Sequence, residues 1–319
     1  MTTTDTATPT PPARAKAVRR VGDTVFETIS TTSGALILAI LAAVFFFLLI
    51  QGLPAITTPV AEDSADSLRQ NGGFLGYIAP LVFGTVWASL LAMIMAFPVG
   101  VAVALFISHF ASRKLTGALG FIIDMLAAIP SVIFGLWGIL VFAPIAGPLY
   151  TWLSNYLGWI PLFAGNSTPT GKNMLTAAIV LAIMILPIMT SLSREIFLQT
   201  PRLHEEASLA LGATRWEMVK QAVFPYASSG MFASAILALG RALGETMAIT
   251  MVLSATGAVT FKLLTSENPT TIAASIALNF PEAHGQNSST LIAGGLVLFA
   301  ITLIVNSIGR WIISRNVKK

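Results

Sequence analysis

The chain has 319 residues, 55% of them hydrophobic and only 10% charged, with a mean hydropathy of +0.80. Soluble domains carry about a quarter charged residues, so too few polar side chains exist here to cover a water-facing surface, and the expected fold class is all-α, a polytopic membrane protein whose apolar residues face lipid or other membrane helices. The net charge of +4 is not a nucleic-acid footprint, because Lys and Arg are scattered between apolar runs, and the absence of cysteine removes disulfides and thiolate chemistry.

Residues 1–33 are expected to form a disordered basic cytoplasmic tail, since the first twenty are largely Thr, Pro and Ala and end on Arg14, Lys16, Arg19 and Arg20. No cleaved signal peptide is expected: the first apolar run, 34–52, is followed by no small-residue cleavage site and stays as the first span. An outward connection follows over 53–78, then a five-helix core over 79–313, then a short cytoplasmic tail over 314–319. Within the core the runs 79–107, 117–143, 174–192, 228–254 and 291–313 are each long enough to cross about 30 Å of hydrocarbon at about 1.5 Å per residue, which makes six spans in all. Pro98, Pro130 and Pro187 interrupt three of them and are expected to bend the helix. The apolar run Thr271 to Phe280 is too short to span and reads as an interfacial or re-entrant helix.

Counting Lys and Arg by side orients the chain. Fourteen of the eighteen fall in the two tails, the 109–116 loop and the 193–227 loop; the alternate connections hold only Arg69, Lys172 and Lys262. Both termini and the 193–227 loop are therefore expected in the cytoplasm, with the connections at 53–78, 144–173 and 255–290 outside.

The 193–227 loop has the pattern of two short helices. Pro201 suits a helix start, Gly212 a left-handed stop, and Thr214 with Glu217 fits a capping box opening the second helix, which Pro225 is expected to end before the fifth span. A helix-turn-helix on the membrane surface is a knob that another protein can push. Glu206-Ala207-Ser208, then Gly212, then Phe224-Pro225 resembles the Glu-Ala-Ala loop of ABC importer permeases, with Ser208 in place of the second Ala. The resemblance implies a type I ABC importer permease fold with a cytoplasmic coupling helix seated in a groove of an ATPase subunit, with Glu205, Glu206, Ala207, Gly212, Thr214, Arg215 and Pro225 in the docking element. The chain itself has no Gly-x-x-x-x-Gly-Lys-Ser/Thr phosphate loop. ATP and Mg are therefore expected on a partner, with no cofactor, metal or catalytic residue here.

The fifth run places Arg241 and Glu245 near its middle, four residues and about 40° apart on one helix. A lone charge at that depth costs about 2.5–3.5 kcal/mol on insertion scales, so each is expected to have a partner and to face protein or water. Gly240, Gly244 and Ala248 form a small-xxx-small pattern on the adjacent face. A guanidinium can hold two oxygens of an oxyanion through parallel hydrogen bonds. Arg241 is accordingly the candidate anion contact and Glu245 its resting counter-ion; a structural ion pair within the helix is the alternative.

Arg241-Ala-Leu-Gly244-Glu245-Thr246-Met-Ala resembles the Arg-Ala-x-Gly-Glu-Thr-Met-Ala signature of the phosphate-specific (Pst) branch of these permeases, and Pro130-Ser131-Val-Ile-Phe-Gly135-Leu-Trp137-Gly138 is similar to its C-type subunit. The resemblance covers roughly residues 74–313. It implies an ATP-driven inorganic phosphate importer in the bacterial inner membrane, with Arg241, Glu245, Ser131 and Thr246 on the pathway. The implied partners are a second homologous permease, two ATPase subunits and an extracytoplasmic phosphate-binding protein. The A-type subunit, a permease for another oxyanion, and an ATP-independent anion channel or ion-coupled carrier are the alternatives. His109, His204 and His284 are dispersed, so no metal site follows.

Overall fold

The computed structural model describes residues 21–57, 72–254 and 256–316. The expected tail over residues 1–20, the acidic residues Glu62, Asp63 and Asp66 with Arg69, and Lys318 and Lys319 lie outside the described residues.

Among the described residues, six helices are long and apolar enough to cross a membrane: Val21–Thr57, Phe74–Phe110, Ser131–Leu157, Met174–Leu198, Arg215–Leu243 and Gln286–Arg315. The first, α1 (Val21–Thr57), starts thirteen residues before the expected span, because nothing in Val21–Ser33 breaks a helix. The chain divides after Phe47 into two units. In the first, residues 21–47 are a single helix that exposes Phe26, Ile29, Leu36, Leu41 and Phe47, as a lipid-facing surface does.

The second unit holds the rest. Helix α2 (Phe74–Leu105) continues as a π turn over Phe106–Phe110, and α3 (Arg113–Ala127) follows. Helices α4 (Ser131–Trp137) and α5 (Ala143–Leu157) are joined without a break by the π turn Gly138–Phe142. Then come α6 (Met174–Leu198), α7 (Arg202–Ala210), α8 (Arg215–Met218), α9 (Phe224–Leu243), α10 (Met247–Val252), α11 (Ile272–Asn279) and α12 (Gln286–Asn316).

The core lies where α2 packs on α6. Ala88, Ala92 and Ala96, four residues apart on one stripe of α2, are fully buried and let α6 approach with Ala177, Leu181, Met184 and Ile185. Small residues at this spacing allow close packing and dispersion contact where no hydrophobic drive separates protein from lipid. Pro98 and Pro187 sit inside unbroken helices. The third apolar run is different: α3 ends at Ala127, Pro130 stands in extended conformation (φ −59°, ψ 139°), and the spanning helix starts at Ser131. The membrane-length element is therefore 131–157, not 117–143, since Pro130 cannot continue the helix of α3 but suits the residue before a new one. The left-over segment α3 is held to α6, where Ser191 Oγ donates to Asp124 Oδ1 at 2.8 Å and the Arg194 guanidinium lies over Gly120.

Beyond α10 the connection folds back onto the molecule. Leu263 N–H donates to Leu162 O at 2.8 Å, and Thr168 and Leu175 N–H donate to Leu264 and Leu263 O. Phe261 lies edge-on to Phe83 and Trp87 of α2, and Gly84 leaves room for the Thr270 carbonyl. This sets the start of α11, the short helix expected near 271–280, where Thr85 Oγ1 accepts from Ile272 N–H at 2.9 Å while donating to Leu81 O at 2.7 Å. Thr85 is fully buried. Thr85→Val is therefore expected to leave a buried amide unsatisfied and to cost about 1–3 kcal/mol. Thermal melting of the purified protein checks this: Val should lower the midpoint and Ser, which keeps the hydroxyl, should restore most of it.

Candidate functional site

The fifth apolar run is not one helix. At its end Gly244 N–H donates to Gly240 O and Glu245 N–H to Ala242 O, each at 3.3 Å, and helix α9 stops at Leu243. Glycine at 244 weakens propagation, and Glu245 supplies an alternative acceptor: its Oε1 takes the N–H of Ala248 at 3.1 Å and so opens α10. The expected ion pair is consequently absent. Glu245 is buried at 7% exposure, whereas Arg241 is exposed in the last turn of α9, and among the described residues no hydrogen bond or ion pair engages its guanidinium. The expected small-residue face is divided as well. A Cβ on Gly240 would meet nothing within 4 Å, while Ala248 is buried against Gly135. The periodicity carried an unbroken helix through 228–254; the turn at 244–246 replaces it.

Helix α10 lies on α4. A Cβ at Gly135 would stand 2.9 Å from Ala248 Cα and 2.9 Å from Met251 Sδ, and one at Gly138 would stand 2.8 Å from Val252 Cγ1. Advancing along α4 therefore advances along α10, so the two short helices run parallel, Ser131 lying four residues before the Gly135 contact and Met247 one before Ala248. Half-buried Ser131 opens α4; half-buried Thr246, whose hydroxyl donates to Gly244 O at 3.3 Å, precedes α10. Of the four pathway candidates, Ser131, Glu245 and Thr246 are brought to this pair of helix starts, and Arg241 stands one turn before it. Helix starts present unpaired N–H groups and a partial positive charge, and at α10 the Glu245 carboxylate takes one of them. Among the described residues no group of three His, Asp or Glu side chains is placed to hold a metal ion.

The 193–227 segment forms the second candidate element. Helix α7 exposes Glu206 and Ala207; Glu205 is half-buried. Gly212 turns the chain at φ +88°, in open space, a conformation that suits glycine. The capping box is formed: Thr214 N–H and Oγ1 both donate to Glu217 Oε2 at 2.7 Å, and Glu217 N–H donates to Thr214 Oγ1 at 3.3 Å. Arg215 and Pro225 are exposed. Pro225 does not end the second helix. It falls in the first turn of α9, directly after the π turn Val219–Val223, so α8 runs on into the fifth span as one course from Arg215 to Leu243. There Phe224 N–H reaches back five residues to Val219 O, and the missing N–H of proline falls where the hydrogen-bond register changes. A cleft of about 320 Å³ separates α7 from this course, lined by His204, Ser208, Gln221, Ala222 and Tyr226. A residue that the sequence pattern did not single out, His109 of the π turn closing α2, reaches Glu205 with Nε2 3.3 Å from Oε1. Ninety-six positions apart, the two carry no local signature.

The sequence model of the family described as binding-protein-dependent transport system inner membrane component matches residues 96–318. The chain is 39% identical over 302 residues to the phosphate transport system permease protein PstC 2 of Mycobacterium tuberculosis, covering 91% of each chain. It is 36% identical over 312 residues to the PstC protein of Mesorhizobium japonicum, covering 95% of this chain and 94% of that one. Among solved structures, the fold is similar to a bacterial ABC transporter involved in the import of the acidic polysaccharide alginate, with TM-score 0.57, 17% identity and coverage of 90% and 99%. It is also similar to the inward-facing MetNI methionine ABC transporter, with TM-score 0.51, 17% identity and coverage of 74% and 96%. These two likenesses concern the fold. The chain belongs to the family of binding-protein-dependent transport system inner membrane components and, within it, groups with the PstC permease proteins.

Proposed function

We propose that this chain is a membrane subunit of an ATP-driven importer of inorganic phosphate, forming half of the solute path. It pairs with a second homologous permease, two ATPase subunits that bind ATP and Mg, and an extracytoplasmic phosphate-binding protein. It sits in the bacterial inner membrane with both termini and α7 in the cytoplasm, the orientation that the distribution of Lys and Arg favours. No covalent chemistry is assigned to it. The ATPase seats α7 with Glu205, Glu206, Ala207, Gly212, Thr214, Arg215 and Pro225 in or beside the contact, and the path runs past Arg241, Ser131 and Thr246. Glu245 holds the start of α10 in place rather than neutralising Arg241.

The observation that carries this reading is the unpartnered Arg241 guanidinium, placed one turn before the helix break in a chain whose PstC relatives share more than a third of its residues. Its fixed fork of donors matches two oxygens of a tetrahedral oxyanion. The test is uptake of radiolabelled phosphate into proteoliposomes holding the full complex, with ATP inside and the binding protein outside. ATP-dependent accumulation that unlabelled phosphate suppresses and sulfate does not is the expected result. Equal phosphate flux without ATP would move the assignment to a channel or carrier, and suppression by sulfate stronger than by equal unlabelled phosphate would move it to another oxyanion.

A further inference from the structure

Helix α7 contains no buried residue, so apolar burial does not fix its angle to the membrane core. From the second span, His109 reaches it. The π turn Phe106–Phe110 rotates this side chain off the helical course of α2, to where its Nε2 lies 3.3 Å from Glu205 Oε1. The ring is the better enclosed partner, with its side chain 8% exposed against 22% for Glu205. Its Nδ1 lies 2.7 Å from Ser108 Oγ, which donates to Leu105 O at 3.2 Å, and its ring stands at 74° to that of Phe197, the buried aromatic near the end of α6. The imidazole is thus held by two partners, Ser108 and Phe197, before Glu205 is counted. The Nε2–Glu205 contact is a hydrogen bond when Nε2 carries the proton, and because the ring is already enclosed, little side-chain entropy is lost when it forms.

We infer that His109 is a positioning residue for energy coupling, a post on the second span through which movement of α7 is passed to α2. This rests on the reading of the chain as an ATP-driven permease subunit. Helix α2 packs along α6 and forms one wall of the buried core, so a displacement delivered at its π turn reaches the helices around the path. A π turn stores one extra residue in a helix and is suited to such a shift. Apart from that contact, α7 is joined to the body through its chain connection to α6, the turn at Gly212 and the side of the Val219–Val223 turn, so it can follow the ATPase without moving α2 directly.

The test compares His109→Leu with His109→Gln in the reconstituted full complex, because Gln keeps an N–H donor near the position of Nε2 and Leu does not. Phosphate transported per ATP hydrolysed is expected to fall about tenfold in Leu, the loss appropriate to one charge-assisted hydrogen bond, with ATP turnover retained, and to recover in Gln. Hydrogen exchange at residues 202–210 of the purified complex gives a second readout that needs no solute: exchange should quicken in Leu and return to the wild-type rate in Gln. Transport and ATP turnover falling in parallel with the amount of assembled complex would overturn the proposal and leave a structural contact. So would a Gln variant as defective as Leu, or unchanged exchange at α7. If the wild-type complex shows no ATP-driven phosphate uptake while the exchange result holds, the solute assignment fails and the tie between α2 and α7 stands.

Discussion

Phosphate uptake by the complex carrying Arg241→Gln is expected to fall by about one to two orders of magnitude while the ATPase subunits still co-purify in wild-type amount. The size follows from the loss of a charged, two-point contact worth about 1.5–3 kcal/mol. A second effect of the substitution must be separated from the first. Arg241 lies in the last turn of α9, where a cation complements the exposed carbonyls, a contribution of about 0.3–1 kcal/mol. That smaller term acts on stability and cannot by itself give a hundredfold loss of transport. Arg241→Lys keeps the charge at the helix end but loses the planar fork, so it should melt like the wild type and still transport about tenfold more slowly. Uptake at the wild-type rate in Arg241→Gln, measured in proteoliposomes, would remove Arg241 from the path. Equal loss of uptake and of assembled complex would make its role structural.

How much of this was legible in the sequence depends on the range of the interactions involved. The apolar runs fix the spanning helices because the bilayer demands length and hydrophobicity within one contiguous segment, and the Thr214–Glu217 capping box is likewise set by residues three apart. The docking turn at Gly212 was readable for the same reason. What escaped is tertiary. Nothing in the hydropathy of 228–254 marks a break at Gly244; the break exists because α10 packs on Gly135 of α4 and because Glu245 caps it. The third run misled because Pro130 was treated as a bend within a span, whereas the apolar stretch after it, through the prolines at 144 and 148, continues to Leu157 and is itself the span. Pro225 misled in the opposite sense, since a π turn before it absorbs the lost donor. Arg241 and Glu245, four residues apart in the sequence, do not pair, because the turn at 244–246 separates them.

The seam between α4 and α10 yields the other large effect. Gly135→Val is expected to abolish uptake, because its Cβ would press against Ala248 Cα at 2.9 Å, a backbone atom that cannot rotate aside. Met251 Sδ, also at 2.9 Å, belongs to a flexible side chain and can give way, so Met251→Ala should not rescue the variant. Overpacking of this kind costs about 1–3 kcal/mol, which lowers the melting temperature without necessarily unfolding the protein. Transport should suffer more than stability, since α10 is pushed away and carries Glu245 and Thr246 with it, parting the two helix starts. Gly147→Ala serves as the control: its Cβ would meet only Pro169 O at 3.8 Å, ordinary van der Waals contact, so melting and uptake should both stay near wild type. If Gly135→Val transports normally in the same proteoliposomes, the pairing of α4 with α10 is not what holds the path open to solute, and Arg241 must act without the neighbouring helix starts.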